Sequence, residues 1–286
     1  MVKKRARFAQ GRSQTPWRFL DTGYADPFYN MALDEAIAVF GREGWPATVR
    51  VYGWRPAAIS IGYSQRVHHT VSLETCARSG TPLVRRLTGG RAVFHDQEVT
   101  YSVIAQRGHF QSSGSVLETY KRIGQGLIAS LERLGIQALL RRVGFGDAEH
   151  GGTCTHVPCF TSSGRYEVTI GDRKVVGSAQ RQIGEMVLQH GSLLTGEGHL
   201  KIAQFLPLGV AERDKMAQEL RDKTISLGAL LLRPVSYTEV AEALFLGFQA
   251  AFQVPMEPGQ LRSDEEKLAH RLIRERYGRQ EWTLRR

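Results

Sequence analysis

The sequence predicts an α+β fold: a mixed, largely antiparallel sheet flanked by helices, with a helical C-terminal portion. Two observations point there. Runs of alternating apolar and polar residues come with hairpin and glycine turns, not in regular strand–helix–strand alternation. From about residue 200 onward the pattern turns mainly helical. Neither an internal repeat nor a low-complexity linker divides the chain. Residues 1–14 read as a basic, solvated tail and 15–286 as a single domain, with a core to about residue 200 and a mainly helical portion over 201–286.

Each element has its local reason. Trp17–Asp21 is a short strand-like run. After the Asp26-Pro27 turn, Met31, Leu33, Ile37 and Phe40 recur at helical spacing, and the helix should stop near Gly41. ATVRVYGWRPAAISIGYSQ alternates around Gly53–Pro56, which suggests two strands joined by a turn. LETCARSG reads as a short helix ended by Gly80. PLVRRLTGGRAVFHDQEVTYSVIAQ gives two or three strands broken at Gly89-Gly90. Leu117, Tyr120, Ile123, Leu127, Leu131 and Leu134 repeat every three or four residues and predict a helix. YEVTIGDRKVVGSAQ is a hairpin with Gly171-Asp172 as its two-residue loop, which pairs Lys174 near Thr169. MVLQHGSLLT follows as a strand. YTEVAEALFLGFQAAF and EEKLAHRLIRERYG are helices.

Composition bounds the function. Of the 286 residues, 42% are hydrophobic and 23% charged, ordinary for a globular enzyme. Three cysteines are too few and too oddly counted for a disulfide framework, which points to a reducing cytoplasm. No apolar run reaches the roughly 18 residues of a membrane span, and no apolar segment follows the basic start as in a secretory signal. The net charge of +10 suits an acidic partner. It also suits nucleic acid, but no zinc-finger, helix-turn-helix or aromatic RNA-binding signature accompanies it.

Four stretches could carry chemistry. In RRLTGGRAVFHD, Gly89 and Gly90 let backbone approach a ligand, and Arg85, Arg86 and Arg91 could hold a carboxylate or phosphate. The competing reading is a hairpin turn whose arginines face water. It is no P-loop, since no Gly-Lys-Ser/Thr follows a four-residue spacer. His95 and His190 lie in strand-like runs, where packing competes with a role in a site. Gly177 and Ser178 of VVGSAQRQ mark a bulge, a close backbone approach to ligand, or a structural glycine. His150, Cys154, His156 and Cys159 crowd one loop, whereas tetrahedral zinc sites pair two short motifs across a longer spacer, so no metal is expected. Cys159 is then an inert thiol or a nucleophile. Lys174 lies a hairpin away, and a nearby ammonium stabilises a thiolate. Spacing alone leaves the two open.

The motifs carry a resemblance. RRLTGGRAVFHDQEVTYSV resembles the RRxxGGxAVxHD signature of the biotin and lipoate protein ligase superfamily. WRFLDTGYADPFYNMALDEA, VRVYGWRPAAISIGYSQ and RKVVGSAQRQ resemble its neighbouring motifs in the same order, from about Trp17 to residue 194. RYGRQEWT is a weaker echo near the C-terminus. The resemblance implies the superfamily's catalytic-domain fold. Lipoate–protein ligases activate free lipoate with ATP, need no cysteine in the loop before the hairpin, and often have Gly where this chain has Arg91. Here that loop reads PCFTSSGRYEV, similar to the CFxxxxxYE pattern of octanoyltransferases of the LipM kind.

That likeness implies Cys159 as the residue that forms an acyl-thioester and Lys174 as the residue that lowers its pKa. It implies octanoyl-acyl carrier protein as donor, and a lysine of an apo lipoyl domain or of the glycine-cleavage H protein as acceptor. No cofactor, no nucleic acid and no membrane enter, and a cytoplasmic monomer is expected. Arg85, Gly89, Gly90, His95, Gly177 and Ser178 are the candidate substrate-binding residues. Cys154, five residues ahead of Cys159, lacks the following Phe and the spaced Tyr-Glu. An ATP-dependent lipoate ligase and a non-catalytic binding relative are the alternatives.

Overall fold

The structure, a computed structural model, describes residues 15–110, 115–142 and 166–286. Its centre is an eight-stranded sheet. In chain order the strands are β1 (Trp17–Ala25), β2 (Thr48–Trp54), β3 (Ala58–Ile61), β4 (Leu83–Arg85), β5 (Val93–His95), β6 (Glu98–Gln106), β7 (Leu139–Arg142), β8 (Tyr166–Ile170), β9 (Arg173–Ile183), β10 (Met186–Leu194) and β11 (Met256–Pro258). The large sheet runs β11-β1-β2-β6-β10-β9-β8-β7, and a small one runs β4-β3-β5. Pairings β1–β11, β1–β2 and β3–β4 are parallel and the others antiparallel, so the sheet is mixed and largely antiparallel as expected.

The helices are α1 (Pro27–Arg42), α2 (Leu73–Ser79), α3 (Val116–Arg133), α4 (Val210–Lys223), α5 (Leu227–Leu231), α6 (Tyr237–Phe252), α7 (Ser263–Leu272) and α8 (Gln280–Thr283). The α1 start is set by Asp26, whose carboxylate accepts from the Phe28 and Tyr29 amides at 2.9 and 3.3 Å, with Pro27 in the first turn. Ser115 caps α3 and Ser236 caps α6 in the same way.

One face of the large sheet is covered by α3 and α6. Ile123, Leu127 and Leu131 join Leu244, Phe248 and Phe252 against Val49, Tyr101 and Val103. Each such side chain contributes about 1.5–3 kcal/mol on burial. A Cβ at Gly247 would meet Ser130 backbone at 2.4 Å, so glycine sets how closely the two helices pack. The opposite face is covered by α1 and α7, through Met31, Leu33, Ile37, Leu268 and Leu272 with Tyr52 and Ile104. The small sheet has its own core of Ile59, Ile61, Val93 and Phe94 with Leu194, Phe205 and Leu220.

The two strands expected on either side of the Gly53–Pro56 turn are present as β2 and β3. The strands around Gly53–Pro56 do not pair with each other, because β2 joins the large sheet and β3 the small one. The turn between them therefore carries the chain from one sheet to the other. The first strand also runs four residues beyond Asp21, to Ala25, where Tyr24 and Ala25 pair with Gly53 and Trp54.

Candidate active site

The hairpin β8–β9 turns at Gly171-Asp172 and pairs Thr169 with Lys174, the register that the two-residue loop dictates. Lys174 Nζ lies 2.6 Å from Glu167 Oε1, both side chains 12% exposed. β8 pairs with β9 only as far as Val176. From Gly177 on, no named strand lies on that edge of β9 among the described residues. Two cavities open there. One, of about 120 Å3, is lined by Lys174, Glu167, Tyr120, Gln189, Gly90, Gly177 and Ser178 with Leu127, Leu140 and Val176. The other, of about 30 Å3, is lined by Met31, Tyr52, Trp54, Val93 and Ala179 with Ser60, Arg86, His95 and His190, and again by Gly177 and Ser178. Gly177 and Ser178 thus form a shared wall.

Polar contacts fix that wall. Ser178 Oγ lies 2.8 Å from the Tyr101 hydroxyl, and the Ser178 carbonyl accepts from the Tyr120 hydroxyl at 3.2 Å. Gln189 donates to the Tyr101 oxygen at 2.9 Å. Burial pushes the Tyr101 hydroxyl up to about 12, so it stays protonated. Behind it, Gly191 on β10 has no room for a side chain: a Cβ would lie 2.5 Å from the Gly177 carbonyl oxygen.

His95 is sandwiched into the second cavity's wall. Its ring stacks on Trp54 at 3.8 Å between centroids and 9° between planes. Nε2 lies 2.7 Å from Ser60 Oγ, and Nδ1 2.9 Å from Glu98 Oε1. Thr100 and Ser192 also donate to Glu98 Oε1, each at 2.6 Å.

The second histidine belongs to a buried network that the sequence reading missed. Asp34 on α1 accepts from Arg50 at 2.7 Å, Ser102 at 2.9 Å and Tyr52 at 3.1 Å, and lies 3.3 Å from His190 Nδ1. His190 Nε2 then meets Thr88 Oγ1 at 2.6 Å. Burial opposes ionisation of Asp34, but Arg50 and His190 outweigh it and hold the carboxyl below its usual value. Burial lowers His190, and Asp34 only partly opposes this. A neutral imidazole donating from Nδ1 to Asp34 and accepting from Thr88 fits both. The available signal was Asn30 and Asp34, polar residues one turn apart on the helix face that also carries Ile37.

The arginines of RRLTGG do not face water: Arg85 and Arg86 are buried and donate mainly to backbone carbonyls. Arg86 donates to the carbonyls of Ser60, Gly89 and Arg91 at 2.8–3.1 Å, pinning the glycine loop over β3. Arg85 is fully buried and donates to the carbonyls of Gly62, Tyr63, Gln65, Trp282 and Thr283. It lines neither cavity. Gly89, unlike Gly90, is also absent from both linings. The structure therefore brings together Lys174, Gly90, Gly177, Ser178 and, across the shared wall, His95.

Cys159, Cys154 and the four-ligand loop lie outside the described residues, as does the 1–14 tail. Cys76 is buried on α2, and burial pushes its thiol up to about 11, which makes it a packing residue. Among the described residues no group of three His, Cys, Asp or Glu could hold a metal ion, and no helix is long and apolar enough to cross a membrane.

Known proteins extend the likeness over nearly the whole chain. The chain is 40% identical over 275 residues to the octanoyltransferase LipM of Symbiobacterium thermophilum, covering 95% of this chain and 99% of that one. It is 34% identical over 276 residues to the octanoyltransferase LipM of Bacillus subtilis, covering 94% and 98%. Among solved structures, the bipartite lipoate protein ligase of Thermoplasma acidophilum superposes with a TM-score of 0.76 at 24% identity, covering 94% of this chain and 96% of that one, which shows a shared fold. Residues 26–249 match the model of the lipoyl protein ligase A/B catalytic domain, and with them the chain belongs to that family.

Proposed function

We propose that this protein transfers an octanoyl group from octanoyl-acyl carrier protein, through a thioester on Cys159, to a lysine of an apo lipoyl domain or of the glycine-cleavage H protein. The observation that carries this reading is the near-full-length likeness, at 40% identity, to a protein named as an octanoyltransferase. The surroundings of Lys174 support it.

In this reading the alkyl chain packs on Met31, Tyr52, Trp54 and Val93, the apolar part of the second cavity's lining, and widens that cavity beyond its volume of about 30 Å3. Its neighbour holds the charged pair Lys174 and Glu167 and suits the reacting groups. In this reading the acyl carbonyl sits at the common wall, Gly177–Ser178, where β9, free of a strand partner on that side among the described residues, offers backbone N–H groups to a developing oxyanion. The Cys159 thiolate attacks the donor's thioester carbonyl, a new C–S bond forms, and the carrier's thiolate leaves and takes a proton. The acceptor amine then attacks the Cys159 thioester, forms the amide, releases the cysteine thiolate and loses a proton. Both bonds broken are thioesters, so ATP is not consumed. Lys174 stabilises negative charge on sulfur and on the tetrahedral oxygen.

Intact-mass measurement after mixing with octanoyl-acyl carrier protein, in the absence of ATP, tests the reading. One octanoyl adduct on the wild type, absent from Cys159→Ala and lost on adding apo lipoyl acceptor, is expected. No adduct on the wild type, with activity instead from free acid plus ATP, would replace it by the ligase.

A further inference from the structure

Beside the cavities lies a concentration of arginine that the chemistry above does not use. Tyr63 has the guanidinium of Arg181 4.1 Å and that of Arg285 4.0 Å from its ring centroid. Arg285 lies equally close to Trp282, at 4.0 Å, and Arg286 stands 6.0 Å from Tyr63. Arg181 is held by the Leu87 carbonyl at 2.7 Å, and Arg285 by the Tyr63 carbonyl at 3.1 Å. The Arg286 carbonyl accepts from Val67, which brings the exposed Arg66 to the same surface.

Acidic side chains are sparse along the segments that carry them and stand only at their borders, Glu74, Glu185 and Glu281 among them. Residues 55–73, 75–95, 173–184 and 282–286 contain no Asp or Glu. Arg66, Arg181, Arg285 and Arg286 make no ion pair with Asp or Glu among the described residues. Two neighbours register the surplus. Hydrogen bonding from Arg181 and Arg285, and then their charge, holds the Tyr63 hydroxyl below its ordinary value. Burial first, then repulsion from Arg285, Arg286 and Arg86, pulls Arg85 down to about 10.

The position ties the cluster to the acyl cavity. Arg181 follows Ala179 by two residues on β9, so strand alternation puts it on the face of Gly177 and Ala179, about 7 Å further along. We propose that Arg66, Arg181, Arg285 and Arg286 around Tyr63 form the docking surface for an acidic face of the protein that delivers the acyl chain. This rests on the octanoyltransferase reading. The donor is favoured over the acceptor because the chain it carries must enter the cavity that this surface adjoins. Stacking on Tyr63 and Trp282 holds the guanidiniums in place, so little rotamer entropy is lost when carboxylates arrive.

The test measures steady-state transfer at low salt from octanoyl-acyl carrier protein and from a small neutral octanoyl thioester, for wild type, Arg181→Gln/Arg285→Gln and Arg66→Gln/Arg286→Gln. Each double variant should raise KM for the carrier protein about tenfold with kcat unchanged, and leave KM for the acceptor and for the small thioester unchanged. Should the first variant fold poorly, the second, at exposed positions, carries the same expectation. An unchanged carrier KM, an equal loss with the small thioester, or a rise confined to the acceptor's KM would overturn the proposal. A wild type that transfers octanoyl from neither donor would remove the octanoyltransferase reading itself, and this surface's role with it.

Discussion

Arg85 holds Thr283 across 198 residues of chain: its Nε and Nη2 both donate to the Thr283 carbonyl, at 3.1 and 2.8 Å. Trp282 returns the contact, its indole N–H donating to the Arg85 carbonyl at 2.9 Å. The same guanidinium binds the carbonyls of Gly62, Tyr63 and Gln65, so one buried cation ties the C-terminal turn to the loop under Gly90. Deleting residues 282–286 would leave that cation buried with part of its fork unmatched. The expected cost is about 3–5 kcal/mol, read as a lower urea midpoint. Because Arg85→Met removes the same contacts, the deletion added to it should cost clearly less than the sum of the two. Additive effects would mean that Arg85 and the C-terminal turn act separately.

Lys174 and Glu167 allow structure and chemistry to be separated. Lys174→Met leaves Glu167 without its lysine, and both stability and activity should fall, single-turnover acyl transfer by about 10²-fold. Adding Glu167→Gln should recover much of the stability and none of the rate. A double variant that regained both would make the lysine a structural partner only.

His199 sets a pH limit on stability. It is 3% exposed, and burial lowers its imidazole to about 4 against an ordinary 6.5, with Nε2 2.8 Å from Thr224 Oγ1. Between those values the unfolded chain binds the proton and the native chain does not, so the contribution of His199 to stability falls as pH drops from 6.5 to 4 and is constant below. Two and a half pH units correspond to about 3 kcal/mol. His199→Gln should flatten that part of the profile. An unaltered acid limb in urea midpoints measured from pH 7 to 4 would assign the loss to other groups.

The parts of this fold that were legible in the sequence are those decided locally. The 171–172 loop fixed the Thr169–Lys174 pairing, and Asp26-Pro27 fixed the start of α1. The parallel pairing of β1 with β2 and β11 was hidden, since β11 comes some 230 residues later and three residues carry no periodicity. The Gly53–Pro56 turn was legible as a turn between two strands but not as a passage between sheets, because a turn between two sheets uses the same residues as a turn within one. In the site, Lys174, Gly90, Gly177 and Ser178 were found by motif and do meet. Arg85 has the same charge as a ligand-binding arginine, and only its five carbonyl partners, three from residues 62, 63 and 65 and two from 282 and 283, reveal its structural use. Asp34 and Arg50 were passed over because their pairing needs α1 and β2 packed together, a tertiary fact.

The shared wall has a consequence for anyone redesigning chain-length preference. A side-chain change at Gly177 or Ser178 alters the room on both sides at once, so grip on the tail and alignment of the carbonyl would vary together and a gain in one would be masked by a loss in the other. Met31 and Val93 line only the second cavity, the one proposed to receive the alkyl chain. If the proposed placement holds, these positions on α1 and β5 are independent variables, and a library built on them would explore acyl length without disturbing the reacting atoms.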